Sequence, residues 1–172
     1  MTLPQLNGLD QEGFVGMLGG VFEHSPWVAQ RAFRNKPFSS LDDLSASMNR
    51  VVDEAAMEEK LALLRAHPDL GTRAKVSASS ASEQAGVGLD RLTQDEYNQL
   101  TELNNSYRAK FGFPFLYAVK GRDKTAILQA LQLRSGNTPE VEFRGALNQV
   151  FRIARFRLKD LFGDLCFNSQ AE

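Results

Sequence analysis

Apolar residues recur along this chain every three or four positions, and nowhere do they alternate convincingly with the period of two that a half-buried strand requires. That pattern predicts an all-α protein. Phe14, Met17, Leu18 and Val21 follow the i, i+3, i+4, i+7 rule, in a segment that Gly13, Gly16, Gly19 and Gly20 weaken. Ser25-Pro26 reads as a cap and a first-turn proline opening a short helix through Phe33. Ser40 and Asp43 have capping-box spacing ahead of Leu44, Met48, Val51, Val52 and Ala55. A helix is expected over 58–66, a loop over 69–79, and a short helix over 80–85 that Gly86-Val87-Gly88 ends. Thr93 and Glu96 form a second capping box, with Tyr97, Leu100, Asn104, Tyr107 and Phe111 along one side of the helix that follows. Asp123 caps a helix carrying Ile127, Leu128 and Leu131, and Thr138-Pro139 opens the longest helix, which runs to about Phe162. The expectation is one compact, bundle-like domain over residues 1–172, with seven or eight helices.

The remaining bulk properties mostly exclude. A chain of 172 residues can bury roughly 70% of its unfolded surface without metals or disulfides. A net charge of −1 exerts no general pull on nucleic acid or on anionic membrane. No apolar run approaches the ~18 residues needed to cross a bilayer. Cys166 is the one cysteine and fits a reducing compartment; MTLPQLNGLD lacks the pattern of a signal peptide, so a cytoplasmic location is expected. G-x-G-x-x-G, P-loop, C-x-x-C, H-x-x-x-H and G-x-S-x-G patterns are all absent, and two histidines with one cysteine make a poor zinc set. No metal and no cofactor are expected.

His67-Pro68-Asp69-Leu70-Gly71 carries the sharpest chemical signal. Pro68 disfavours the α conformation at His67, so the helix should stop there and turn the imidazole into a loop. A histidine at a helix C-terminus feels the negative end of the dipole, which favours its protonated form and suits a general acid. The alternative is a plain helix terminator. Ser80, Glu83 and Gln84 offer a hydroxyl, a carboxylate and an amide together, although Ser80-x-x-Glu83 is also cap spacing. On the last helix the apolar stripe runs through Phe143, Leu147, Val150, Ala154, Leu158 and Leu161. At ~100° per residue Arg157 falls about 20° from Val150, so it points inward, whereas Arg152 and Arg155 fall on the solvated side. A buried guanidinium needs an anion, either an internal Asp or Glu or a carboxylated ligand. His24 reads as a surface or capping residue. FGFPF (111–115) reads as a core-packing loop whose free backbone N–H groups could also face a polar ligand.

Taken in order, HPDLG from His67, SASEQAGVGL from Ser80, KFGFPFLYAVKGR from Lys110 and RFRLKDLF from Arg155 resemble 2-oxo-4-hydroxy-4-carboxy-5-ureidoimidazoline (OHCU) decarboxylases. The first sixty residues match more loosely, through SPWVAQRAF and RNKPF. The resemblance implies an all-helical, cofactor-free decarboxylase of the urate-to-allantoin route, typically a homodimer, acting on a small carboxylated ureido-imidazoline. It implies His67 as the catalytic imidazole, with Glu83 as its catalytic partner. It assigns Pro68, Ser80, Gln84 and Arg157 to the substrate, together with backbone along Phe113, Phe115, Leu116 and Ala118. Some members are fused to a transthyretin-like hydrolase domain, for which this chain has no room, so a separate hydroxyisourate hydrolase is the expected functional partner. Two rivals fit the same residues. One is a non-catalytic helical binding module in which Arg157 is paired internally. The other is a different cofactor-free lyase or hydrolase acting on a ureido compound.

Overall fold

The computed structural model describes residues 1–72 and 75–163. In chain order the helices are α1 (Leu3–Gly8), α2 (Gln11–Leu18), α3 (Trp27–Ala32), α4 (Leu41–Asp53), α5 (Met57–Ala66), α6 (Ala78–Ala85), α7 (Gln94–Phe111), α8 (Lys124–Ser135) and α9 (Pro139–Phe162). A 3-10 turn covers Phe33–Asn35, and no strand occurs among the described residues, so the protein is all-α. Cys166 lies outside the described residues. None of the described helices is long and apolar enough to cross a membrane.

Several helix ends differ from expectation for local reasons. α1 is an additional helix, too short to show apolar periodicity. It is set by a capping box in which Gln5 N–H donates to Thr2 Oγ1 and Thr2 N–H to Gln5 Oε1, with a proline in its first turn. α2 stops at Leu18, because the glycine pair that follows has little helix propensity, and Val21 is buried beyond the helix rather than on it. Ser25 does not cap α3 with its side chain; its carbonyl accepts from Val28 N–H at 3.1 Å. Ser40 caps α4 as expected, but Asp43 returns its carboxylate to Ser39. α6 starts earlier than expected because Ser77, not Ser80, is its cap and accepts from Ser80 N–H at 3.2 Å. The Thr93–Glu96 box and the Asp123 cap form as expected.

The chain divides into two compact units, Met1–Ala66 with the chain from Phe151, and His67–Val150. In the first unit α3 packs against α2 and α4. Phe14 sits there with its ring edge-on to Phe33 at 5.6 Å and stacked on Phe38 at 6.0 Å. Asn7 pins Phe38 by accepting from its N–H at 2.9 Å and donating to its carbonyl at 2.8 Å. Each fully buried side chain such as Phe14, Leu18 or Leu44 contributes about 1.5–3 kcal/mol. In the second unit α7 packs on α8. Its aromatic core sets Tyr107 edge-on to Phe115 at 5.3 Å and Phe113 edge-on to Phe143 at 6.3 Å.

Candidate active site

α5 ends at Ala66, one residue before the His67-Pro68 pair that terminates it. The imidazole is not left in solvent: His67 is only 5% exposed. The three residues after Pro68 are each held by a different side chain. Arg108 Nη2 donates to Asp69 Oδ1 at 2.8 Å, Asn104 Nδ2 donates to the Leu70 carbonyl at 2.9 Å, and Gly71 N–H donates to Gln84 Oε1 at 2.8 Å. Gly71 has φ +73°, and a Cβ there would stand 2.5 Å from Leu100 Cδ2 and 2.9 Å from Leu92 Cδ1. Glycine is required both by the left-handed backbone and by the close approach of those leucines.

Ser80, Glu83 and Gln84 stand at i, i+3 and i+4 on α6 and therefore share one face of it. Ser80 and Gln84 are buried and Glu83 is half-buried. The structure thus brings three of the expected site residues together on the helix that grips the His67 turn. Gln84 spends its oxygen on Gly71, so what it can offer elsewhere is its amide N–H₂.

The segment after α7 is a second irregular element. Gly112 turns the chain at φ +79° in the left-handed cap position of α7. Phe113, Phe115, Leu116 and Ala118 are all buried. Phe113 and Phe115 point into the aromatic core, as a packing loop would. The Leu116 carbonyl accepts from Arg134 Nη1 at 2.6 Å, and Ala118 N–H donates to Gln149 Oε1 at 3.0 Å. These two backbone groups are therefore committed within the protein. Arg134 is in turn fixed by Glu142, a carboxylate with no exposure, which accepts from Arg134 Nε at 2.8 Å and Nη2, from the Tyr107 hydroxyl, and from Asn137 Nδ2 at 2.9 Å. Burial and the adjacent Glu142 carboxylate push the Tyr107 phenol far above its ordinary range, so it stays protonated and donates.

Arg157 belongs to the first unit and points inward as its stripe position requires, with 6% exposure. Its Nη2 lies 2.8 Å from Glu23 Oε2, and its Nη1 donates to the Gly20 and Val21 carbonyls at 3.3 and 3.4 Å. Of the two anions open to it from sequence, an internal carboxylate is present. Arg155 pairs with Asp42 at 2.7 Å on the exposed side, and His24 is exposed. Among the described residues no His, Cys, Asp and Glu side chains group as a metal site would.

Sequence reasoning passed over Arg108, Gln149 and Glu142, and placed Asn104 on one side of its helix without giving it a role. Asn104 carried a usable signal, a polar residue inside the apolar stripe of α7, which is the criterion that singled out Arg157. Glu142 was hidden because an acidic residue in the first turn of α9 already has a reason to be there, the positive end of the helix dipole.

Residues 7–159 match the OHCU decarboxylase family. A 2-oxo-4-hydroxy-4-carboxy-5-ureidoimidazoline decarboxylase of Haloferax volcanii is 46% identical over 162 residues, covering 94% of this chain and 96% of the relative. A uric acid degradation bifunctional protein of Bacillus subtilis is 45% identical over 160 residues, 93% of this chain but only 32% of that longer protein. Among solved structures, an (S)-allantoin synthase superposes with a TM-score of 0.78 at 33% identity, over 94% of this chain and 54% of that one. The residues that grip the His67 turn therefore sit in a chain that belongs to the OHCU decarboxylase family.

Proposed function

We propose that this chain decarboxylates 2-oxo-4-hydroxy-4-carboxy-5-ureidoimidazoline to (S)-allantoin in urate breakdown, and that it does so as one domain without a cofactor. The family match supports the reaction, and its span across both units supports a single working domain. The observation that carries the site is the gripped turn. His67 is buried at a helix end, and the residues after it are tied to α6 and α7 by three side chains. A group held in this way can deliver a proton along a fixed line.

The chemistry needs no electron sink beyond the substrate. The bond between the ring and its carboxylate breaks, CO₂ leaves, and the electron pair moves into the neighbouring ring C=N. The hydroxyl on the same carbon becomes a carbonyl, and a proton is added to the ureido-bearing carbon. One proton is taken up overall. His67 acts as the acid–base group with Glu83 setting its orientation, a role worth roughly 10²–10⁴-fold in rate. Ser80 and the Gln84 amide hold the ureido and ring carbonyls, and Pro68 shapes the turn. Backbone between Phe113 and Ala118, apart from the two committed groups, provides the remaining polar contacts beside Phe115 and Leu116. Arg157 compensates negative charge on the substrate while Glu23 holds its guanidinium in place. The protein works in the cytoplasm as a homodimer, and a separate hydroxyisourate hydrolase supplies its substrate.

The test follows allantoin formation by circular dichroism, with substrate generated freshly from urate. Rapid formation of one enantiomer by the wild type, and slow racemic product with His67→Ala at matched helix content, is the expected result. A wild type that does not accelerate CO₂ loss overturns the assignment. Turnover that survives dialysis against a chelator supports the cofactor-free chemistry, and light scattering at assay concentration reads the dimer.

A further inference from the structure

Leu100, Asn104 and Arg108 lie at i, i+4 and i+8 on α7, and all three meet the turn that follows His67. Leu100 crowds Gly71, Asn104 donates to the Leu70 carbonyl, and Arg108 reaches Asp69. Asn104 is the buried polar member of this row, 4% exposed, and it is not well served by the arrangement. Its Oδ1 is buried with no hydrogen-bond partner among the described residues. The amide satisfies the Leu70 carbonyl while stranding its own acceptor, so stability gives little net reason for an asparagine at this place. What the bond does fix is geometry. Leu70 lies three residues beyond His67, and Pro68 between them has little rotational freedom, so the orientation of the Leu70 peptide is carried back to the imidazole.

We propose that Asn104 is a positioning residue for the decarboxylation: it holds the Leu70 carbonyl and thereby aims the His67 imidazole at the reacting carbon. This rests on the decarboxylase reading given above. In this role Asn104 acts through the turn and not on the substrate, so its loss should lower kcat and leave KM nearly unchanged, because ground-state binding is intact while alignment is not. A displacement on the order of 1 Å at a catalytic group costs up to about 10²-fold in rate.

The experiment compares wild type, His67→Ala, Asn104→Leu and the double variant, using steady-state kinetics and NMR of the imidazole rings. The chain has only two histidines, so His67→Ala assigns both signals and the exposed His24 serves as an internal reference. The expected result for Asn104→Leu is a kcat reduced roughly 10- to 100-fold, a KM within about threefold of wild type, and a shifted His67 signal beside an unmoved His24 signal. In the His67→Ala background the same change should cost almost nothing further, since both changes remove one function. If Asn104→Leu does not fold, Asn104→Ser, which draws the donor away from Leu70, replaces it in every measurement. Unchanged kcat, superimposable His67 signals, or full additivity in the double variant overturns the proposal. A wild type without turnover overturns the decarboxylase reading instead, and the His67 signal still decides whether Asn104 positions the ring.

Discussion

Two irregular segments of the second unit are backed by the same helix and held in opposite ways. The turn at 67–71 is tied by single hydrogen bonds: Arg108 donates to Asp69, Asn104 donates to Leu70, and Gln84 accepts from Gly71. The segment at 112–118 is sunk among Tyr107, Phe111 and Phe143 and anchored through Arg134 to one fully buried carboxylate, Glu142. The first arrangement fixes a direction with few contacts, and the second fixes a core with many. Stability and catalysis should therefore separate between them: damage at 112–118 should unfold the unit, and damage at 67–71 should mostly misalign it.

The widest gap is expected at Glu142. Glu142→Ala leaves the Arg134 guanidinium without its buried partner and takes the acceptor from Tyr107 and Asn137, so a loss of about 3–5 kcal/mol is expected in urea unfolding. His67→Ala should by contrast change unfolding by less, about 1–2 kcal/mol, while removing turnover, since its part is proton transfer rather than the anchoring of a buried charge. A Glu142→Ala protein of near wild-type stability would break the contrast at once. The intermediate case is Gly71→Ala. The φ of +73° and the leucine carbons within 3 Å of the added methyl should together cost about 2 kcal/mol, partly relieved because Leu100 and Leu92 meet it with flexible ends. Because the strain falls on the residue that Gln84 holds, kcat should drop as well. Stability lost with kcat unaltered would mean that the turn transmits nothing to His67.

The contrast also explains what the sequence made legible. Helices were readable where caps and periods coincide, as at Thr93, Asp123 and Thr138-Pro139. They were misjudged where two serines both satisfy cap spacing, as at Ser77 and Ser80, or where a helix is too short to complete a period, as at Leu3–Gly8. The turn at His67 was readable because Pro68 and Gly71 are local punctuation. The side chains that hold it come from 13 to 39 positions away along the chain, and no local pattern links Arg108 to Asp69 or Gln84 to Gly71. Arg157 shows both sides: its inward direction followed from the helical angle, but its partner Glu23 stands far away in sequence and could not be chosen from that angle.

A smaller effect tests the anchored segment through pH. Burial and Glu142 raise the Tyr107 pKa in the folded state, while the unfolded chain loses that proton near pH 10. Above pH 10 the folded state holds more protons than the unfolded one. The stability Tyr107 provides is therefore fully present below pH 10 and is lost as pH rises beyond it, with a slope of at most about 1.4 kcal/mol per pH unit for one group. Tyr107→Phe should flatten the alkaline limb of stability against pH. An unchanged limb would show that the phenol is not held by the Glu142 cluster in solution.

The smallest effect is expected at Gln149, whose side chain on α9 accepts from the 112–118 backbone at Ala118. Gln149→Ala strands the Ala118 N–H, at a cost of about 1 kcal/mol. It leaves Arg134, Glu142 and the aromatic rings untouched, so the segment should keep its path and shift only near Ala118. Because that backbone is proposed to face substrate rather than to transfer protons, KM should rise severalfold while kcat moves little. Gln149→Glu, which keeps an acceptor at the same reach, should recover most of the KM. If Gln149→Ala instead abolished turnover as His67→Ala does with the fold intact, the division would fail, and the anchored segment would be as much a part of the reacting geometry as the turn.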